Sequence, residues 1–259
     1  MELLKTNFLN TTTQAIVNSN TGSASYLFDR DTSFQYISSG LNNDLTFSTI
    51  RINFDETKTV TRIALVQMNW RDFRVYYNGV TANTFSMTTT GATTTSYWTS
   101  NSETSIFMQL NGAVACTSVS FDVLKTHVAN AEKALGFLVI SQEHVDFPQV
   151  PAAGGYDIRL EPQEVVHQLS DGGKRVQVVD DKYSAAISMQ HVTTAFRSTL
   201  LTLYKLHQET IFVPFGTTTS WDAIIFPCIW HGSFDFNRYS DSASDAGFSG
   251  TIRLAETPR

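Results

Sequence analysis

Charge is scarce in this chain. Of its 259 residues only 16% are Asp, Glu, Lys or Arg, against the ~25% of ordinary soluble domains. The surface must therefore lean on Ser, Thr, Asn and Gln, a composition that suits a β-rich protein whose surfaces meet neighbours. The charge present sums to −6, and no basic run extends beyond the pair Lys174 and Arg175. This argues against a nucleic-acid-binding surface as the main role, and no sequence-specific nucleic-acid binding is expected. Cysteine is nearly absent: Cys116 and Cys228 lie far apart, in no CxxC pair, so neither a zinc or thioredoxin-like site nor a disulfide framework is expected. Both sit in apolar contexts ("VACTSV", "FPCIWH") and read as small buried hydrophobes, which fits folding in a reducing cytosol. No apolar run approaches the ~20 residues of a membrane span, and "MELLKTNFLN" has no signal-peptide core. The expectation is a protein without a membrane span, not exported by the general secretory route, though able to leave a cell as part of something larger.

The usual active-site signatures are missing as well. There is no GxSxG, HExxH, phosphate-binding GxxxxGK[ST] or Rossmann glycine fingerprint. The six histidines, His127, His144, His167, His191, His207 and His231, never pair at metal-ligand spacing. His207, four residues after Leu203, reads as a core or interface histidine on a helix face. Asp180 and Asp181 are adjacent, so in a strand they point to opposite faces and cannot share a proton or a metal. Asp241 and Asp245 in "YSDSASDAG" read as a solvated loop, with a calcium site as the alternative. No catalytic residue, metal ligand or cofactor is assigned, and the chain is not expected to be an enzyme.

What is present is β patterning. "STIRINFD" alternates Ile50, Ile52 and Phe54 with Arg51 and Asn53 at the period of a half-buried strand. "VTRIALVQMN" and "DFRVYYNG" follow, the latter stopping at Asn78-Gly79, a strong hairpin signal. "TSIFMQL" stops at a second such signal, Asn111-Gly112, and "CTSVSFDVL" reads as a closing strand. Short strands punctuated this way predict a sandwich. Between Thr81 and Thr104 a threonine-rich stretch reads as a long hairpin, or as an exposed loop with Tyr97 and Trp98 at its tip. A change of character near 125–155 places a domain boundary at 128/129, with "ALGFLVIS" as the second domain's first strand. "YDIRLEP" and "RVQVVDDKYSAAISMQHV" predict strands, the second a bent hairpin or one long strand. Phe196, Leu200 and Leu203 then mark an amphipathic helix over about 193–208, with Thr193 or Thr194 as its N-cap. Strands at "ETIFVPF", "AIIFPCIWHGSFDFNRY" and "GFSGTIRLAE" complete a mainly β second domain.

The stretch "SASYLFDRDTSFQYISSG" raises a separate question. Asp29 and Asp31 have the chemistry of metal ligands, of catalytic carboxylates, or of groups that pin a loop. With "TIRINFDETKTVTRIALVQMNWRDFRVYYNG" behind it, the stretch resembles the discoidin family, the coagulation factor 5/8 C-type domains. Ala24, Leu27, Phe28, Asp29 and Asp31 match that family's loop, and Tyr36 stands where the family usually has tryptophan. Ile52, Phe54, Val60 and Ile63 match the strands, and Phe73, Val75 and Tyr76 the next one. Arg30 departs from the usual glycine, and the family's end-clasping cysteines are absent. The resemblance covers roughly the first 125 residues, giving a first domain of 1–128, and implies a jelly-roll β-sandwich of the galactose-binding type, with Asp29, Asp31 and Tyr36 as fold markers. No ligand residue carries over from that family; Trp70, at the "MNWRDF" turn, and Trp98, in the threonine-rich stretch, are the candidate carbohydrate-binding residues, because an indole stacks on the apolar face of a sugar; a packed core or interface position is the alternative for each.

Within the second domain, 129–259, about residues 133–259, in their order strand–strand–helix–strand–strand and in "FNRYSDSASDAGFSGTIRLAE", resemble the tail-tube-like fold of tailed bacteriophages in pattern. That resemblance implies a β-barrel or sandwich with one packed helix, and copies closed into a homo-oligomeric ring, commonly a hexamer. It further implies other tail proteins as partners (tube, tape measure and hub), assembly in the host cytoplasm, and location in the virion tail. The joint expectation is a structural protein of the tail tip, baseplate or distal tail, its first domain decorating the outside and touching host glycans. The alternative is a non-viral carbohydrate-binding module protein with an accessory β domain. A hydrolase with a discoidin-type accessory domain lacks the residues it would need.

Overall fold

A computed structural model describes residues 1–9, 14–17, 24–28, 35–38, 43–78, 97–148, 155–168, 172–214, 224–238 and 247–257. The chain divides into two units, the first comprising 1–146 with 212–225 and 259, the second 147–211 with 226–258. The fold is mainly antiparallel β with one packed helix, as the patterning predicts. Among the described residues no helix is long and apolar enough to cross a membrane.

Unit 1 contains β1 (Glu2–Leu4), β2 (Gln14–Val17), β3 (Tyr36–Ile37), β4 (Ser48–Met68), β5 (Trp70–Asn78), β6 (Tyr97–Trp98), β7 (Ile106–Thr126), β8 (Ala134–Ser141) and β9 (His144–Asp146). Seven of these form one sheet in the order β3-β8-β4-β7-β5-β6, with β2 also on β4, while β1 pairs with β9. The first half of β4 alternates as expected, with Ile50, Ile52 and Phe54 buried and Arg51 exposed. From Arg62 to Val66 every residue is buried, on the stretch where β4 is hydrogen-bonded to β7 on one edge and β8 on the other.

Three sequence expectations are corrected here. "ALGFLVIS" does not open the second domain. As β8 it is buried along its whole length and is hydrogen-bonded between β3 and β4, within the 1–146 segment of unit 1. Asn111-Gly112 does not turn the chain either, since β7 runs straight through it. The register against β4 jumps from Val60↔Val114 to Arg62↔Gln109, so the extra residues are absorbed as a bulge. In the same way "STIRINFD" and "VTRIALVQMN" are one strand with a register shift between Asn53 and Lys58.

The core of unit 1 gathers Tyr36, Trp70, Phe73, Phe121 and the inward aliphatics of β4, β7 and β8. Tyr36 is fully buried on β3, opposite Leu135. Asp29 and Asp31, like residues 79–96 and Asp241 and Asp245, lie outside the described residues.

Unit 2 contains β10 (Tyr156–Gln168), β11 (Lys174–Val192), α1 (Thr194–Leu206), the first part of β12 (Thr210–Val213), β13 (Phe226–Trp230), β14 (Phe236–Arg238) and β15 (Phe248–Glu256). Its sheet runs β10-β11-β15-β13, with β14 also on β15. Thr193 caps α1, its side chain accepting from the Phe196 amide, and Leu200 and Leu203 are buried. Tyr204 meets Trp230 edge-on at 5.5 Å. His207 is a correction: it is not on the apolar face but is the exposed C-cap, with φ 47°, where the left-handed turn ends the helix. Gly250 lets β14 and β15 approach closely, since a Cβ there would lie 2.4 Å from the Asp235 carbonyl oxygen and 2.8 Å from the Phe236 ring. Gly250→Ala is expected to lower the unfolding free energy by about 2–3 kcal/mol, in the range of an overpacked core; urea denaturation followed by tryptophan fluorescence measures it.

Candidate functional site

The two sugar-stacking candidates are both packed. Trp70 is the first residue of β5 and is 0% exposed, with Phe73 at 5.6 Å and Phe121 at 6.0 Å. Trp70 thus occupies the packed core position given above as its alternative. Trp98 does not stand at a loop tip either. It pairs with Phe73 in the sheet, is half-buried, and stacks on that ring at 4.7 Å and 3°. The segment after it is tied down by Asp72, which accepts from the Ser100 amide at 2.9 Å and pairs with Lys125 at 3.1 Å. Burial works against the Asp72 charge, but the Ser100 amide and Lys125 outweigh it and hold the carboxyl below its ordinary value.

A second cluster lies between β4 and the β1–β9 ladder. Arg62 Nε donates to Glu2 Oε2 at 2.7 Å with both side chains buried, and Arg62 Nη2 lies 2.9 Å from His144 Nε2. Asp146 closes the group, 3.2 Å from His144. Glu2, His144 and Asp146 bring ligand-type atoms within 4.8 Å of one another. The guanidinium already supplies the positive charge among them, so the arrangement is an ion-pair network joining two layers. Burial pushes the Glu2 carboxyl above its ordinary value of 4.5, and Arg62 pulls it partly back.

A third place is a loop pair in unit 1. Asn43 Oδ1 accepts from the amides of Leu45 and Thr46 at 3.0 and 2.8 Å, the local bonding that makes Asn a turn former. Lys133 reaches from beneath to the Asn43 carbonyl at 2.6 Å, and the Asp44 amide donates to Asn130 at 3.1 Å. Leu45 and Val128 are left exposed, and Phe47 lies under the Arg74 guanidinium at 4.4 Å.

The most unusual surface belongs to unit 2. β15 pairs with β11 from Ser184 onward, whereas among the described residues Leu160–Gln168 and Lys174–Tyr183 have strand pairing with each other alone. They form a two-stranded arm whose described side chains are exposed from Leu160 to Gln168 and from Lys174 to Asp181. Directly opposed residues of a ladder share a face. One face therefore carries Leu160, Pro162, Val166, Val176 and Val178 interspersed with Glu164, Gln168, Lys174, Asp181 and Tyr183; the other carries Glu161 with Lys182, Val165 with Gln177, and His167 with Arg175. The arm leaves aliphatic side chains in water on one of its faces: Leu160, Val166, Val176 and Val178 are 53%, 54%, 52% and 56% exposed. Asp181 belongs to this arm and is exposed; the side chain of Asp180 lies outside the description. Sequence reasoning passed over this face although its signal was present, in the alternation of Val176 and Val178 within a strand read only for its aspartates.

No family model and no curated protein matches this chain. Solved structures do resemble it. The family 32 carbohydrate-binding module of NanJ from Clostridium perfringens, solved in complex with galactose, is 13% identical, with a TM-score of 0.42 over 55% of this chain and 100% of that one. Chitosan-binding module 1 of a chitosanase/glucanase from Paenibacillus sp. IK-5 is 16% identical, with a TM-score of 0.40 over 51% of this chain and 96% of the module. The family 32 module of EndoD from Streptococcus pneumoniae is 12% identical, with a TM-score of 0.38 over 53% and 100%. Modules of this family are discoidin-like. At such scores and identities the likenesses carry no argument about ligand or role.

The buried network yields a prediction. Arg62→Met leaves Glu2 buried without its partner and is expected to cost about 3–5 kcal/mol, while Glu2→Leu with Arg62→Met costs well under half of that. Chemical denaturation of the three proteins measures it. Because the folded Glu2 value is raised, its contribution is full below pH 4.5 and is lost as pH rises through the folded value,; Glu2→Gln removes that component.

Proposed function

We propose that this chain is a non-catalytic structural protein that works in several copies, with unit 2 joining copies and unit 1 displayed as a discoidin-like module. The observation behind this reading is the arm, a solvent-flanked ribbon with four aliphatic side chains more than half exposed on one face. An isolated two-stranded hairpin is marginal in water, and an apolar patch of this kind on a soluble protein marks an interaction surface. The setting we favour is the tail tip or baseplate of a tailed bacteriophage, where copies close into a ring and meet other tail proteins. Its support is the tail-tube-like order of strands and helix in the second half of the sequence, together with the low charge of the chain.

The second reading is a carbohydrate-binding module protein with an accessory β domain. It is favoured by the discoidin-like motif of unit 1 and by the Leu45–Phe47 and Val128 loop pair, which is held outward by Lys133 and Asn130. The two readings separate in one experiment. Light scattering at rising concentration, with negative-stain microscopy, is expected to show particles of several copies. A monomer throughout, with sugar affinity on a glycan array, supports the second reading instead. Trp70→Ala is a poor probe there: emptying a buried indole site costs about 3–5 kcal/mol, so lost binding would report unfolding. Trp98→Ala is the better variant.

A further inference from the structure

The arm also indicates what kind of element covers it, an inference that deepens the self-associating reading of unit 2 and rests on it. Trp230, Leu254, Ala185 and Ile158 stand opposite one another across β13, β15, β11 and β10, so they share one face of the sheet. Tyr204 of α1 meets Trp230 on that face. The same face continues along β10 into Leu160, Pro162, Glu164 and Val166, and along β11 into Val178 and Val176,. The aliphatic side of the arm therefore extends the face that carries α1, past the point where the chain's own helix covers it. A strand added at the outer edge is disfavoured instead. β10 is the end strand of its sheet among the described residues, and Pro162 in its middle has no amide hydrogen to donate,. A register shift follows between Gln163 and Glu164, and a bulge twists a ribbon away from flat pairing.

A helix fits that face in width and in length. Paired strands lie ~4.8 Å apart, and one helix with its side chains is about 10 Å across. The side of α1 turned away from its own sheet is suited to the place. Ala195, Thr199, Thr202 and Leu206 follow one another there at helical spacing and are all exposed, Leu206 at 49%. Thr199 and Thr202 donate their hydroxyls to the carbonyls of Ala195 and Ser198 at 3.3 and 3.0 Å, so covering them leaves no donor unsatisfied. From Ala195 to Leu206 is roughly 16 Å at ~1.5 Å per residue, and from Leu160 to Val166 roughly 20 Å at ~3.3 Å per residue. Laid along the ribbon with its C-terminus toward the tip, the helix sets Ala195 on Leu160 and Thr199 on Pro162. Thr202 then falls on Val178, and Leu206 on Val166 and Val176. Lys205 comes within reach of Glu164, the acid inside the aliphatic face, and both are exposed. Lys174 lies just past the helix C-terminus, where a cation is favoured. Asp181, already engaged within its own chain, takes no part. We infer that α1 of one copy lies along the arm of the next, with Lys205 paired to Glu164. Arm and helix are different surfaces of one chain, so the contact is head-to-tail. Each pair keeps one free arm and one free helix, and copies add until a ring closes. A single contact of this kind falls below the ~800 Å² per partner of a standard interface, so assembly is concentration-dependent.

Sedimentation velocity of the full chain over a concentration series tests this. Val178→Asp on the arm and Thr202→Glu on the helix are each expected to weaken self-association about tenfold or more, since each buries an unpaired charge. Glu164→Lys and Lys205→Glu each weaken it about three- to fivefold, and the variant with both exchanges returns to within about twofold of the original. An equimolar mixture of Val178→Asp and Thr202→Glu chains forms dimers and nothing larger, because the intact helix of the first meets the intact arm of the second. All four positions are exposed, so unchanged thermal melts at the lowest concentration verify folding. A mixture no more associated than its components, or self-association indifferent to these substitutions, overturns the arm–helix contact while leaving self-association intact. A wild-type chain that is monomeric at every concentration overturns both.

Discussion

A ribbon of two β-strands has no interior. Every residue on either face meets water unless something else covers it, so an apolar stripe on a ribbon gains its burial only from outside. Unit 2 places such a stripe on the part of β10 and β11 that β15 does not reach. The rest of unit 2 behaves like an ordinary folded layer, with Leu200 and Leu203 of the helix buried and an aromatic group of Tyr204, Trp230, Phe234 and Phe236 in mutual contact. The contrast within one sheet is the reason for reading the arm as an element completed by another molecule.

Unit 1 shows the opposite economy. Its apolar residues are collected inside, and its few buried charges are matched, Arg62 by Glu2 and Asp72 by Lys125 and a backbone amide. Such pairing adds little net stability, because desolvation offsets most of the attraction. It does fix where β4 lies relative to the β1–β9 ladder and where the Ser100 segment lies relative to β5. The unit is a well-determined body on which loops are presented, without a catalytic constellation among the described residues.

Much of the fold was legible from period alone. The alternation of Ile50, Ile52 and Phe54, the helix marked by Leu200 and Leu203, and its Thr193 cap depend on local chemistry, and local chemistry is what a sequence displays. The errors came where tertiary context decides. "ALGFLVIS" is apolar throughout, so nothing in it says which sheet it enters; only its neighbours β3 and β4 do. Asn111-Gly112 favours a turn, yet the pairing of β7 with β4 on both sides of it is extensive enough to absorb the excess as a bulge. Trp70 and Trp98 were judged by residue type and by the polar residues around them, whereas burial and the stacking on Phe73 depend on strands distant in sequence. For the arm, the alternating valines were visible, but the absence of a covering layer was not.

Amide hydrogen exchange of the full chain at several concentrations tests most directly whether the arm is covered by another copy. The account predicts that peptides spanning Glu164–Gln168 and Lys174–Val178 exchange quickly when dilute and slow markedly as concentration rises, while β4 and β8 stay protected throughout. Exchange in the arm that is fast and identical at every concentration would contradict it.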